Sequence, residues 1–163
     1  MKRILVVAVL GLVALLPAGA NAQTTANMAI SASVAANCTI SVTSVAFGAY
    51  DPLVANASAP KDANGSVTVT CTKGSVPTVG LGLGSNPSGT TRQMTAGAGN
   101  FLTYELYSAS DYSTVWGTGT AAYTATAAVN KNPRTFTVYG RVPGGQDAAT
   151  GTYGDTVLAT VNF

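Results

Sequence analysis

Two cysteines carry the most specific chemistry in this sequence. Cys38 and Cys71 are its only thiols, so one intramolecular disulfide is possible. It would close a loop of about thirty residues and stabilise the fold by roughly 3–4 kcal/mol in the chain-entropy description. Such a bridge is the default for an exported protein, because it requires an oxidising compartment. Two free thiols or an intermolecular bridge are the alternatives.

Residues suited to acid–base or metal chemistry are scarce. The 163 residues include no histidine, which removes the commonest general base and the commonest metal ligand. Glu105 is the only glutamate, its position in a strand pattern predicts a solvated side chain, and the aspartates are dispersed. The glycines of Gly80–Gly84 lack the spacing and the following helix of a dinucleotide-binding loop. We therefore expect no enzymatic activity and no cofactor.

The first 22 residues have the pattern of a secretion signal. Lys2 and Arg3 precede an apolar run, Ile4–Leu16, and Ala20–Ala22 fits a small-residue cleavage site. The run is shorter than the roughly 20 residues that span a bilayer, so we expect no membrane span after its removal; a retained anchor is the alternative. Without Lys2 and Arg3 the mature chain has six basic and six acidic residues, so its formal net charge is zero. Because these charges form no run, the sequence does not predict nucleic-acid binding.

Apolar and polar residues alternate along several short segments, which predicts β-strands. The alternation places both cysteines on the apolar faces of their strands, together with these residues: Ile40, Val42, Val67 and Val69. Three further strands are predicted over Thr78–Gly84, Phe101–Ser108 and Thr135–Val142. Their inward residues are expected to be Val79, Leu81, Leu83, Leu102, Tyr104, Leu106, Phe136, Val138 and Val142. Turn-forming residues separate the strands, so the sequence predicts an all-β antiparallel sandwich.

Two more alternating segments lie near the ends of the mature chain. In Thr156–Phe163 the apolar positions continue to the last residue, and they are Val157, Ala159, Val161 and Phe163. We expect this apolar edge to be matched by something outside the local order of the chain. Near the mature N-terminus the alternating apolar positions are Met28, Ile30, Ala32 and Val34. This segment is either the first half of one long strand ending at Val42 or a separate arm.

Several motifs together carry a family resemblance. The strongest are Thr137–Gln146 and Gly151–Val157. Similar segments elsewhere are Asn37–Thr39, Phe47–Pro52, Val69–Cys71, Arg92–Met94, Leu102–Tyr107 and Trp116–Gly117. In this order they resemble the spore coat protein U family over nearly the whole mature chain. That family includes the secreted pilin subunits of archaic chaperone–usher systems.

The resemblance implies an incomplete immunoglobulin-like sandwich that is completed by a donated strand. It implies a signal peptide over residues 1–22, an N-terminal donor-strand extension over 23–36 and a pilin domain over 37–163. The implied donor side chains are Met28, Ile30, Ala32 and Val34. The implied edge of the acceptor groove consists of Val157, Ala159, Val161 and Phe163, and the other edge would come from a strand near Cys38–Val45.

The implied function is that of a structural subunit of a surface pilus, used in adhesion and biofilm formation. Its partners would be identical or related pilin subunits, a periplasmic chaperone and an outer-membrane usher, and its route would lead through the periplasm to the cell surface. A minor or tip subunit is one alternative. Another is a self-contained secreted coat or carbohydrate-binding protein, in which Gln23–Ala36 folds back onto its own domain. For Trp116 and the tyrosines, core and rim positions are favoured over a sugar-binding surface.

Overall fold

The part of the chain that the structure describes, Gly19 and residues 22–163 of a computed structural model, contains eight β-strands and one short 3-10 helix. The strands are β1 (Cys38–Thr43), β2 (Lys61–Cys71), β3 (Thr78–Leu81), β4 (Arg92–Gly97), β5 (Asn100–Tyr107), β6 (Tyr123–Thr124), β7 (Arg134–Val142) and β8 (Ala159–Asn162), and the helix covers Gly119–Ala121. Within these described residues no helix is long and apolar enough to cross a membrane.

The chain divides into two units, which end and begin at Ser33 and Val34. Residues 22–33 of the first unit belong to no strand or helix. All strands lie in the second unit. The predicted signal peptide lies almost wholly outside the described residues, and the predicted domain boundaries after residues 22 and 36 stay predictions.

The strands form two antiparallel sheets. One has five strands in the order β1–β2–β7–β5–β4, and the other has three in the order β6–β3–β8. Residues from both sheets meet in one apolar core, with Val67 and Val138 from the first and Val79 from the second. The predicted all-β antiparallel sandwich is therefore confirmed.

Most of the predicted inward residues occupy this core, because successive residues of a strand point to opposite faces. The buried ones are Val67, Val69, Val79, Leu81, Leu102, Tyr104, Leu106, Val138 and Val142. One prediction was wrong: Leu83 is 39% exposed, because β3 already ends at Leu81. Val42 shares the face of Cys38 and Ile40 as predicted, but it is 60% exposed because β1 is an edge strand.

A disulfide joins the first edge strand to its neighbour. Cys38 and Cys71 are direct partners in the β1–β2 register and are bonded through their sulfurs. Cys71 is buried in the core and Cys38 is half-buried against it. The bridge therefore fixes the start of β1 to the end of β2 on the apolar side of the sheet.

A buried arginine connects the two sheets. Arg92 on β4 is 1% exposed, and its Nη2 donates 2.8 Å hydrogen bonds to the carbonyls of Leu81 and Trp116. Its Nε donates to the carbonyl of Gly82 at 2.8 Å, and its Nη1 pairs with the carboxylate of Glu105. Hydrogen bonds from a charged donor are stronger than those between neutral groups, so these contacts stabilise the buried guanidinium.

The prediction of a solvated Glu105 was therefore wrong. The buried guanidinium of Arg92 requires a negative partner, because an isolated charge is very costly to bury. Glu105 supplies it from the next strand of the sheet, and its side chain is 21% exposed. Strand β4, which carries Arg92, was also not predicted.

Replacing Arg92 by alanine should lower the free energy of unfolding by about 3–5 kcal/mol, because it leaves a half-buried carboxylate and buried carbonyls unpaired. Arg141→Ala is the matched control. Arg141 pairs with Asp62 at 2.7 Å, but both side chains are about one-third exposed, so its loss should cost about 1 kcal/mol or less. Urea unfolding of both variants checks this; equal effects would contradict a special role for the buried pair.

Candidate functional site

An apolar groove lies between the edges of the two sheets. Its volume is about 1050 Å³. One wall is formed by residues 42–53, which continue from β1, and the other by residues 148–157 and Ala159, which lead into β8. The floor consists of core residues from the interior of both sheets: Val67, Leu81, Leu102, Tyr104, Leu106, Val138 and Val142. A smaller depression continues the groove past Leu83 and Leu158.

The first wall is anchored by apolar side chains. Val45 and Phe47 are half-buried and pack against the core. They fit there because β7 carries Gly140, where a Cβ would come within 2.6 Å of Val45 Cγ1 and 2.9 Å of Phe47 Cζ. A larger residue at position 140 would push this wall away from the sheet.

The backbone of the first wall offers an open edge. Strand β1 ends at Thr43, and residues 44–50 have no strand pairing. Among the described residues, no backbone–backbone hydrogen bond involves residues 44–50. Unpaired N–H and C=O groups beside an apolar surface form a template for an added strand.

The second wall is held by the carboxylate of Asp155. Its Oδ1 accepts 2.8 Å hydrogen bonds from the backbone N–H groups of Ser85 and Thr156, and its Oδ2 accepts one from the Tyr104 hydroxyl at 2.7 Å. Burial, and after it this hydrogen bond, raises the pKa of Tyr104. Gly84, with φ +87°, passes so close to the carboxylate that it has no room for a Cβ. One side chain therefore joins the wall, the floor and the turn after β3.

A side-chain network joins the first wall to β5 and to the loop after β7. Pro143 follows β7 and cannot donate a backbone hydrogen bond. The amide side chain of Gln146 accepts from the N–H of Thr103 at 2.8 Å and donates to its C=O at 3.0 Å, as a neighbouring strand would. The Tyr50 hydroxyl donates to the Pro143 carbonyl and accepts from the Gln146 N–H. The first wall is thereby tied to the loop that precedes the second wall.

The structure brings together only part of the predicted acceptor edge. Val157 and Ala159 line the groove, whereas Val161 packs against the core outside it. The predicted terminal strand was too long: β8 covers Ala159–Asn162, so Val157 and Phe163 lie outside it. Phe163 is 54% exposed. The full edge therefore stays a prediction.

The predicted donor side chains carry large apolar surface. Met28, Ile30 and Val34 are all more than four-fifths exposed, and Ala32 is exposed as well. These residues belong to no strand. Exposed apolar side chains of this size are a feature of interaction segments, but their role as a donor stays a prediction.

Residues 24–160 match the family model of the Spore Coat Protein U domain. The chain belongs to the spore coat protein U domain family. This confirms the family assignment made from the sequence motifs. The matched residues include the predicted arm as well as most of the sandwich.

The chain is also similar to one curated protein and to one solved structure. Protein U of Myxococcus xanthus is 36% identical over 171 aligned residues, covering 97% of this chain and 94% of that protein. A chain in the crystal structure of a chaperone–tip adhesion subunit pre-assembly complex from the archaic chaperone–usher Csu pili of Acinetobacter baumannii matches with a TM-score of 0.58 and 25% identity. That match covers 80% of this chain but 40% of the solved chain, so this spore coat protein U domain spans less than half of its structural relative.

Sequence reasoning missed the residues that keep the groove in shape. Asp155 and Gln146 both lie in the motifs that carry the resemblance, yet their partners Ser85 and Thr103 are more than 40 residues away in the chain. The glycines of Gly80–Gly84 lie next to Ser85 in the chain, but they do not identify its partner. No spacing rule links a carboxylate to such a distant turn.

Replacing Asp155 by alanine should loosen the second wall, because two backbone N–H groups and one buried hydroxyl lose their acceptor. The expected loss in stability is about 1–3 kcal/mol. Amide hydrogen exchange should accelerate at Ser85 and Thr156. Asp111→Ala is the control: Asp111 also accepts from a backbone amide, that of Ser113, but on an exposed turn, so exchange should rise there alone. Unchanged exchange at Thr156 in the Asp155→Ala variant would show that Asp155 does not hold the second wall.

Proposed function

We propose that this protein is a structural subunit of a surface pilus assembled by a chaperone–usher system. The observation that carries the proposal is the groove, in which an apolar floor lies beside a backbone edge without partners over residues 44–50. The family assignment and the similarity to a chain from a chaperone–pilus subunit complex support it.

In this proposal the groove receives a β-strand from another chain. The groove volume of about 1050 Å³ is at the upper end of the roughly 300–1,000 Å³ that small-molecule pockets enclose, so the open backbone edge, and not the volume, favours a strand. The unpaired backbone would form ladder hydrogen bonds with the added strand, and the floor would receive every second side chain. A periplasmic chaperone would fill the groove first, and a neighbouring subunit would replace it in the fibre.

The N-terminal arm fits the part of the donor. Met28, Ile30, Ala32 and Val34 share one parity, and the residues between them are small: Ala29, Ser31 and Ser33. Burying the three larger side chains would contribute about 5–8 kcal/mol before the cost of ordering the arm is subtracted. A slip of the donor strand by one residue would turn these side chains away from the floor. The alternation therefore sets which side chains of the donor enter the groove.

Subunits joined in this way form a head-to-tail fibre, because each copy offers one groove and one arm and the contact does not close. Export to the periplasm, passage through an outer-membrane usher and display at the cell surface follow from the same proposal. Adhesion and biofilm formation are the roles we assign to the fibre.

Deleting residues 23–36 should leave a domain whose groove a synthetic Ala26–Val34 peptide fills. We expect the peptide to raise the midpoint of thermal unfolding by several degrees, because a ligand that binds only the folded state stabilises it. A peptide of the same composition with Ile30 and Ser31 exchanged is the control, and it should stabilise less. A truncated domain that ignores the Ala26–Val34 peptide would instead favour a self-contained secreted protein.

Ile30→Asp should abolish fibre assembly while export continues, since a carboxylate would have to enter the apolar groove. Ser31→Asp carries the same charge one residue later, where the side chain faces away from the floor, and it should still assemble. Electron microscopy of surface fibres, together with immunoblots of periplasmic fractions, measures both. Fibres of equal abundance in the two variants would rule out this placement of the donor.

A further inference from the structure

A cluster of tyrosines lies on the outward face of the five-stranded sheet. Tyr107 on β5 and Tyr139 on β7 are direct partners in the strand register. Tyr112, from the loop after β5, contacts both of them edge to face, with ring centroids 5.4 Å from Tyr107 and 6.4 Å from Tyr139. All three side chains are partly exposed. We call this cluster the tyrosine platform.

Hydrogen-bonding side chains border the platform. The Arg141 guanidinium lies 3.5 Å from the centre of the Tyr112 ring, and its Nε and Nη2 donate to the two carboxylate oxygens of Asp62, each at 2.7 Å. The hydrogen bonds from Arg141 hold the pKa of the Asp62 carboxyl below the usual range of an aspartate. Asn64 is exposed and stands opposite Tyr139 in the register. Planar polar groups thus surround the aromatic rings.

The backbone of the loop is strained at Tyr112. Tyr112 has φ +59°, a left-handed conformation that is uncommon for a bulky residue and costs about 1 kcal/mol or more. Its N–H donates to the Ala109 carbonyl, and Asp111 accepts from Ser113, which fixes the turn. Strained residues of this kind concentrate at binding and catalytic sites.

We propose that the tyrosine platform binds neutral, β-linked pyranose saccharides. The face of an aromatic ring carries partial negative charge, and the axial C–H groups of such sugars present weakly positive hydrogens to it. Tyrosine hydroxyls, Asn64 and the Asp62–Arg141 pair supply donors and acceptors for the equatorial hydroxyl groups. All three tyrosines are partly exposed, so part of their aromatic surface is available for stacking, apart from the face of Tyr112 that Arg141 covers.

The platform does not use the groove. Tyr107 and Tyr139 point outward from two interior strands of the five-stranded sheet, whereas the groove lies along the sheet edges and is lined from the inner face. The platform therefore stays clear of the proposed strand exchange. In a fibre, one weak site per subunit would be repeated many times, and linked sites bind with far higher avidity than a single one.

The first test measures binding of cellohexaose and chitohexaose to the full-length mature chain by isothermal titration calorimetry and by NMR. Maltohexaose, an α-linked oligosaccharide, is the reference. We expect a dissociation constant of about 1 mM for the β-linked sugars, with amide shifts at Asp62, Asn64 and Tyr139. The absence of binding, or shifts confined to the groove, would overturn the proposal without the need for any variant.

The second test compares two substitutions on the same face of β7. Tyr139→Thr removes a ring but keeps strand propensity, and we expect affinity for the β-linked sugars to fall at least roughly tenfold, as for an aromatic hot spot. Thr137→Ala should bind like the unmodified chain. Equal affinity of both variants would refute the platform. Fibre assembly should be unaffected in both, so failure here leaves the proposed pilus function untouched.

Discussion

The rest of the structure depends on keeping an apolar groove open. Apolar walls in water tend to come together, since burial of each Å² of apolar surface is worth about 25 cal/mol. Here the walls at residues 42–53 and 148–157 stay apart over a floor of core side chains. To keep the walls apart, each wall must be bonded to the rest of the sandwich. The Cys38–Cys71 disulfide, the buried Arg92 and the carboxylate of Asp155 supply these bonds.

Different bonds fix the different parts of the groove. The Cys38–Cys71 bridge fixes the strand from which the first wall continues, and Arg92 binds carbonyls of β3 and of Trp116 while it lies on β4. Asp155 then fixes the second wall to the turn after β3. These bonds hold both walls in place, so the groove is a preformed surface. Preformed surfaces bind with a smaller loss of conformational entropy.

The sequence predicted the parts of the fold that depend on local periodicity. Alternation identified the inward residues of β2, β5 and β7 and the apolar faces of both cysteines, and the C-terminal motifs identified the family. It could not reveal the Arg92–Glu105 pair, because the partners of Arg92 come from three other parts of the chain. Leu83 was misplaced because alternation does not show where pairing stops. Val42 is still paired with Val67, and its exposure follows from its place on an edge strand beside the groove. The tyrosine platform depends on a loop conformation at Tyr112 that no pattern encodes.

The position of the disulfide has a mechanical consequence. Cys38 is the first residue of β1, and its sulfur is bonded to the last residue of β2. A force that pulls on the chain from the N-terminal side of Cys38 therefore passes through a covalent bond directly into β2. That strand is paired on both sides, with β1 and β7. Tension bypasses the hydrogen bonds of the edge strand and is carried by the interior of the sheet, so β1 cannot be peeled off first.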